Sequence, residues 1–315
     1  MCISVVICTF RRSDLLSGAI ESLLRQSLPA DQYEILVVDN NSQDETAAIA
    51  QDFITDGPPR VRYALEVRQG LSQARNTGIQ ISSFDIVAFL DDDAIADRAW
   101  LASLLAAYDG NPEVWAAGGK VLPIWDGERP GWLADTMLRG LSLVDWGDER
   151  RHLEWPERII GTNLSFRKQA FVKIGRFSTN LGRRGNLLLG NEDTEMQERI
   201  HQLGKRVLYV PQAIVYHHVS TERMTKAYFY RRSYGSGRSQ AVIVQRKEGY
   251  SAMLCMAFRI ALKMSARCLR LPWTLWQEDR RFQELRGLAH QYGFLNQATR
   301  LLLRAGNRPD LSSST

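Results

Sequence analysis

Cysteine is scarce in this chain of 315 residues, and its four copies (Cys2, Cys8, Cys255, Cys268) form no C-x-x-C pair. That leaves no zinc ribbon or dithiol redox motif and points to a reducing cytoplasm as the expected setting. There is no G-x-x-x-x-G-K-[ST], and no G-x-G-x-x-G stands at the first strand–helix turn. A P-loop ATPase and a nicotinamide dehydrogenase are therefore disfavoured. The H-E-x-x-H zinc pattern is missing as well. Long apolar runs are also lacking around the apolar-rich stretch Tyr250 to Leu271, whose longest uncharged run, Gly249 to Phe258, is too short to span a bilayer. Met1 to Phe10 has neither a basic lead nor a cleavage site, so a first strand is expected there rather than a signal peptide.

What is present is the composition of a soluble globular protein, 44% hydrophobic and 24% charged, long enough for one large domain or two smaller ones. The net charge of +5 hides an asymmetry. Residues 1–222 hold 23 Lys+Arg against 30 Asp+Glu, whereas residues 223–315 hold 17 against 5. An acidic body carries a basic tail, and such tails seek phosphate.

The apolar run Ile86 to Leu90 drives into three consecutive acids, Asp91, Asp92 and Asp93. Adjacent carboxylates repel one another, so a fold that gathers them usually supplies a cation. Mg²⁺ or Mn²⁺ on oxygen ligands is one reading, and a solvated acidic turn is the other. Further apolar runs, Val5 to Cys8 and Ile35 to Val38, alternate with helical patterns such as Leu15, Leu16, Ala19, Ile20, Leu23 and Leu24. Ser42 with Glu45 predicts a capping box for the second helix. Strands and helices in this alternation predict β-α-β units and a largely parallel sheet. In such sheets ligands bind at the carboxyl ends of the strands, where Thr9, Phe10, Arg11, Asp39 and the acid triplet all fall.

Seven stretches in order extend this pattern: V-V-I-C-T-F-R-R, L-V-V-D-N-N-S, G-L-S-Q-A-R-N-T-G-I, F-L-D-D-D, I-I-G-T-N-L-S-F-R, G-N-E-D-T-E-M-Q-E-R-I and V-P-Q-A-I-V-Y-H-H-V. Together they resemble the family 2 glycosyltransferases of the GT-A fold, over about two thirds of the chain. The resemblance implies an α/β fold: a Rossmann-like, mostly parallel sheet with helices on both faces, and a smaller mixed-sheet acceptor region. It also implies transfer of a sugar from a nucleoside diphosphate, a uridine diphosphate sugar in the first instance, to the hydroxyl of a glycan or lipid-linked acceptor, with inversion. By the resemblance Asp93 would hold the metal, with Asp91 or Asp92 nearer the ribose and the register open by one residue. Thr9, Phe10, Arg11 and Asp39 would line the nucleotide pocket, and Arg75 with Asn76 would close it. Asp193 would be the base, although acids at a helix start also arise simply to oppose the helix dipole. His217 is the expected second metal ligand, and His218 the alternative, since neighbours on a strand point to opposite faces. Asn163, Glu192, Arg184 and His218 are expected as weaker acceptor or diphosphate contacts.

The expected organisation is a glycosyltransferase domain over 1–222 (1–110 for nucleotide, 111–222 for acceptor), a basic helical region over 223–305 and a disordered 306–315. In the tail, a cationic and aromatic cluster from Tyr228 to Arg238 could seat a diphosphate. Arg259, Lys263, Arg267 and Arg270 share one arc of a helix rich in apolar residues. An in-plane helix on an anionic membrane surface and an ordinary packed helix with a basic face both suit it. No nucleic-acid motif accompanies the charge, so no nucleic acid is expected. Two other functions compete. A sugar-nucleotide nucleotidyltransferase would want a glycine-rich first turn, which Cys8-Thr9-Phe10-Arg11 lacks. A binding-only relative is opposed by the intact Asp93 and Asp193.

Overall fold

A computed structural model describes residues 1–185, 187–274 and 276–306; of 306–315, expected to be disordered, Gly306 ends a helix and the rest lies outside the described residues. Two compact units are present, one of Met1–Gly185 with Glu192–Thr221, the other of the short segment before Glu192 with the chain from Glu222 on.

In the first unit, strands β1 (Ile3–Thr9), β2 (Tyr33–Asp39), β3 (Arg60–Leu65) and β4 (Ile86–Asp91) alternate with helices α1 (Ser13–Leu24), α2 (Thr46–Asp52) and α3 (Leu71–Ile81). The run of Val and Ile in β1, β2 and β4 leaves these strands buried on both faces, as central parallel strands require. Next come β5 (Ala94–Ala96), α4 (Trp100–Tyr108), β6 (Val114–Gly118), β7 (Val121–Trp125), β8 (Arg151–His152), β9 (Asn163–Arg167), α5 (Lys168–Lys173), α6 (Glu192–Gln202), β10 (Arg206–Tyr209) and β11 (Val215–Val219). Among the described residues the strands form an eight-stranded sheet in the order β3-β2-β1-β4-β9-β6-β10-β8 and a three-stranded sheet β5-β11-β7. The pairs β3–β2, β2–β1, β1–β4 and β6–β10 are parallel, while β9 runs antiparallel to both neighbours. One apolar cluster packs α1 and α4 against one face of the large sheet, and a second packs α3 and α6 against the other.

Residues 114–122, which read in the sequence as one strand, hold all of β6 in the large sheet and the start of β7 in the small one. Their junction is Gly118-Gly119, where a side chain would overlap the carbonyls of Asn163, Val210 and Ala213. The capping box at Ser42 does not form, because Asn41 turns left-handed with φ 63°. Ser42 Oγ instead accepts the Arg11 N–H at 2.9 Å, and α2 starts at Thr46 with no side-chain cap at its N-cap residue.

The second unit consists of α7 (Lys226–Arg270) and α8 (Glu278–Gly306) joined by a short turn. Gly249 interrupts α7 at φ 86°, ψ 179°, a conformation open to glycine alone. On α8, Phe282, Tyr292 and Gln297 meet Phe229, Tyr234 and Arg238 of the first half of α7. The second half runs back: Met253 packs with Phe294 and Ala298, and Arg267 pairs with Glu284. The chain therefore reverses at Gly249, and α8 packs against both halves. Arg238, expected in a diphosphate seat, is buried and bonded to Gln297 at 2.8 Å. No helix among the described residues is long and apolar enough to cross a membrane.

Candidate active site

Strands β1, β2 and β4 end side by side because their apolar runs are of matched length and in parallel register. Cys8 pairs with both Val38 and Asp91, and Thr9 with Asp39. The acids of the triplet then part by the pleat of the chain. Asp91 and Asp93 turn to one side with His217, and the ligand atoms of these three lie within 4.8 Å of one another. His217 Nε2 is 3.3 Å from Asp93 Oδ1, and the His218 N–H donates to the Asp93 carbonyl at 2.9 Å, docking β11 onto the triplet. His218 itself points the other way, to Asp126 at 3.0 Å. Two carboxylates and an imidazole within this compass are a donor set that a divalent ion such as Mg²⁺ or Mn²⁺ fits.

Asp92 faces Arg12, whose Nη1 lies 3.3 Å from its Oδ1 and also pairs with Asp93. Burial, helped by the charges of Asp93 and Asp91, pushes the Asp92 carboxyl up to about 7 against the pull of Arg12. Arg12 is itself held charged: burial opposes its charge, but Asp93 and Asp92 outweigh it. Arg12 was passed over in the sequence in favour of its neighbour Arg11. The doubled arginine of T-F-R-R carried the signal. Arg11 is exposed, with φ 54°, and stacks over Phe10 at 5.2 Å.

A second buried network leads from the triplet to α6. Arg75, on the inner face of α3, is 2% exposed and lies over the rings of Phe89 and Phe177 at 5.5 and 5.4 Å. Its guanidinium bonds Glu192 at 2.9 Å and approaches Asp91 at 3.6 Å. Burial pulls its pKa down, yet Glu192 and Asp91 more than compensate, so the charge is retained. The backbone at Gly161 passes so close that a methyl group there would overlap the guanidinium. The same glycine donates its N–H to Asp193 Oδ2 at 2.8 Å, and Thr162 Oγ1 donates to Asp91 Oδ2 at 2.5 Å. Asp193 Oδ1 accepts from the Thr194 N–H at 2.7 Å. Asp91, Glu192 and Asp193 are thus braced from a common centre. In the sequence Thr162, beside Asn163, carries no signal of its own. Cys8 lies near the same groups, and burial pushes its thiol up to about 12, too high for a nucleophile.

The remaining expected residues differ in what they meet. Asp39 is buried, accepting from the Ser42 N–H at 2.8 Å and the Tyr63 hydroxyl at 2.9 Å, so it holds the β2 corner. Thr9 is buried at the end of β1. The Asn76 amide donates to the Phe177 carbonyl at 2.9 Å and accepts the Phe177 N–H at 3.0 Å. Asn163 is likewise spent inside the fold, bonded to Trp100, Lys120 and Ala213, which leaves nothing for an acceptor. Arg184 reaches the Thr179 carbonyl at 3.1 Å, while the Arg183 carbonyl pins the loop by accepting the Leu71 N–H.

The profile of Glycosyl transferase family 2 matches residues 4–184. The chain belongs to this family. It is a glycosyltransferase, and its strand order and appended small sheet are those of the GT-A fold. The chain is 31% identical over 248 residues to the glucosyl-dolichyl phosphate glucuronosyltransferase of Haloferax volcanii, covering 77% of each protein. It is 26% identical over 251 residues to the succinoglycan biosynthesis protein ExoM of Rhizobium meliloti, covering 78% of this chain and 76% of that one. Among solved structures, the mannosyltransferase PcManGT of Pyrobaculum calidifontis, in complex with GDP-Man and Mn²⁺, superposes with a TM-score of 0.58 at 18% identity, over 92% of this chain and 86% of that one. GalNAc-T7 with UDP, GalNAc and Mn²⁺ gives 0.57 at 19%, over 76% and 51%.

Proposed function

We propose that this glycosyltransferase moves a sugar from a nucleoside diphosphate to an acceptor hydroxyl with inversion, that Asp91, Asp93 and His217 hold a divalent metal, and that Asp193 is the base. The observation that carries the proposal is the brace of Arg75, Gly161 and Thr162, which fixes Asp91 and Asp193 relative to each other. When bound, the ion would neutralise the charge that grows on the leaving diphosphate. Imidazole among the ligands favours Mn²⁺ over Mg²⁺. Arg12 keeps Asp92 and Asp93 in place, and Asp39 with Thr9 shapes the nucleotide end, where uracil is the expected base. Asp193 has one oxygen turned to Gly161 and the other to Thr194. A carboxylate offers about four lone-pair sites, so room remains for the acceptor O–H. Asp193 takes that proton as the acceptor oxygen bonds the anomeric carbon; the bond to phosphate breaks on the opposite face, and its electron pair leaves with the diphosphate.

The names of the relatives favour a lipid-linked or polysaccharide acceptor, and with it a reaction at the cytoplasmic face of a membrane. The second unit supports that setting. Leu254, Phe258, Leu262, Leu269, Trp273 and Trp276 are exposed, and exposed Arg259, Lys263 and Arg270 lie beside them. An apolar stripe flanked by cations matches an anionic lipid surface.

Asp193→Asn keeps the shape and removes the base. Transfer should fall by about 10²–10⁴-fold. Calorimetry with Mn²⁺ should find donor affinity within about twofold of wild type, because the change spares donor binding. Transfer at the wild-type rate would refute the assignment. The same calorimetry on Asp93→Ala should show the metal dependence of donor binding disappear.

A further inference from the structure

A cavity of about 670 Å³ opens in the second unit between the two halves of α7 and α8. That volume is typical of a small-molecule site. Arg259, Lys263 and Arg267, one helical turn apart, line it against a single acid, Glu248. Arg267 is fixed, since it bonds Glu284 at 2.7 Å and lies against Gly287, where a methyl group would collide with it. Ala252, Met256 and Ile260 supply an apolar wall. Two amides complete the lining: the carbonyl oxygens of Gln240 and Gln291 are buried and meet no hydrogen-bond donor among the described residues. Gln291 is only 7% exposed. A buried amide oxygen left unbonded is costly, and a core needing only to be filled would carry leucine here.

The geometry points to a binding site for one amphiphilic phosphate, a phosphate ester on an alkyl chain, held in this cavity. The three cations meet the phosphate charge, and the apolar wall takes the first carbons of the chain. The N–H groups of Gln240 and Gln291 donate to phosphate oxygens, and the one P–O–H of the singly protonated ester donates to one of their two carbonyls. The site is independent of the sugar-transfer reading, because no residue of the transfer site takes part in it.

Cys255 and Cys268 are both exposed, but only Cys255 lines the cavity, so the full chain carries its own reporter and control. The experiment follows thiol alkylation at both cysteines with no sugar donor present. Decyl phosphate below its micellar concentration should slow Cys255 at least tenfold, saturably, and leave Cys268 unchanged. Inorganic phosphate at the same concentration should do neither, which separates the ester from the free ion. Phosphatidylglycerol vesicles should slow Cys268, next to exposed Leu269, if the unit merely lies on a surface. Gln291→Leu should raise the decyl phosphate needed for half protection about tenfold while keeping or raising the melting temperature, and Arg259→Glu should raise it further. The proposal is overturned if Cys255 reacts equally fast with and without decyl phosphate. It is equally overturned if inorganic phosphate protects as well as the ester, or if Gln291→Leu leaves protection intact.

Discussion

The two units treat buried polar groups in opposite ways. In the first, the buried charges named above are matched: Arg75 with Asp91 and Glu192, Arg12 with Asp92 and Asp93, and likewise Arg62 with Glu34 at 2.7 Å. In the second, ring and aliphatic contacts hold the interior beside the Arg238–Gln297 bond, and the carbonyl oxygens of two amides facing the cavity, Gln240 and Gln291, are unbonded. Removing charge from water is repaid only when partners are placed well, so the first pattern fixes positions and the second leaves capacity in reserve. A reaction centre needs the former, because carboxylates displaced by about 1 Å lose much of their effect.

The sharpest way to break this comparison is Arg75→Met. The substitution keeps the volume and strands Glu192 and Asp91 without their cation. Removing one partner of a buried pair costs about 3–5 kcal/mol. The melting transition of the first unit should fall steeply, and Mn²⁺-dependent donor binding should weaken even at low temperature. A loss below about 1 kcal/mol would mean that the network is ornamental. Next in size is Gly249→Ala in the other unit. Alanine at φ 86°, ψ 179° is strained by about 1–3 kcal/mol. The helical unit should melt earlier while donor binding holds. If donor binding falls in parallel, the two units do not respond separately and the contrast between them fails.

Much of the first unit could be read from the chain because its signals are local. The apolar runs ending at Thr9, Asp39 and Asp91 announced both the strands and the edge where polar groups gather. Period-2 geometry reduced the His217–His218 choice to one residue, and only the fold shows that His217 faces Asp93. What stayed illegible depends on long-range closure. Nothing near Asn76 or Asn163 reveals that their amides are spent on Phe177, Trp100, Lys120 and Ala213, which are distant in sequence. Arg12 and Arg11 are equivalent by type; the left-handed turn at Arg11 decides which one faces the acids. In the tail, Gly249 stands among good helix formers, and its reversal of α7 follows from packing on α8 rather than from any turn signal.

The mildest test sets one acid from each unit side by side. Glu66 is tied down by the Arg68 guanidinium and N–H and by the Thr77 hydroxyl. The Arg68 bonds chiefly, against the opposing effect of burial, lower its pKa from 4.5 to about 2. A carboxyl depressed in the folded state stabilises fully above its unfolded value and loses that contribution as pH falls through the folded one. Glu66 should therefore add stability above pH 4.5 that disappears on acidification towards about 2. Glu278 is also lowered, by its hydrogen bond and charge interaction with Lys226, but it stands in solvent. At about 1 M salt the screening length is roughly 3 Å, so the contribution of Glu278 should vanish while that of Glu66 largely survives. Urea midpoints of Glu66→Gln and Glu278→Gln, followed from neutral pH into that window at low and high salt, measure this. Wild type and Glu66→Gln should converge as the pH drops, with the gap at neutral pH persisting in salt. Parallel curves, or equal salt sensitivity of the two variants, would show that the first unit holds this charge no more tightly than the second.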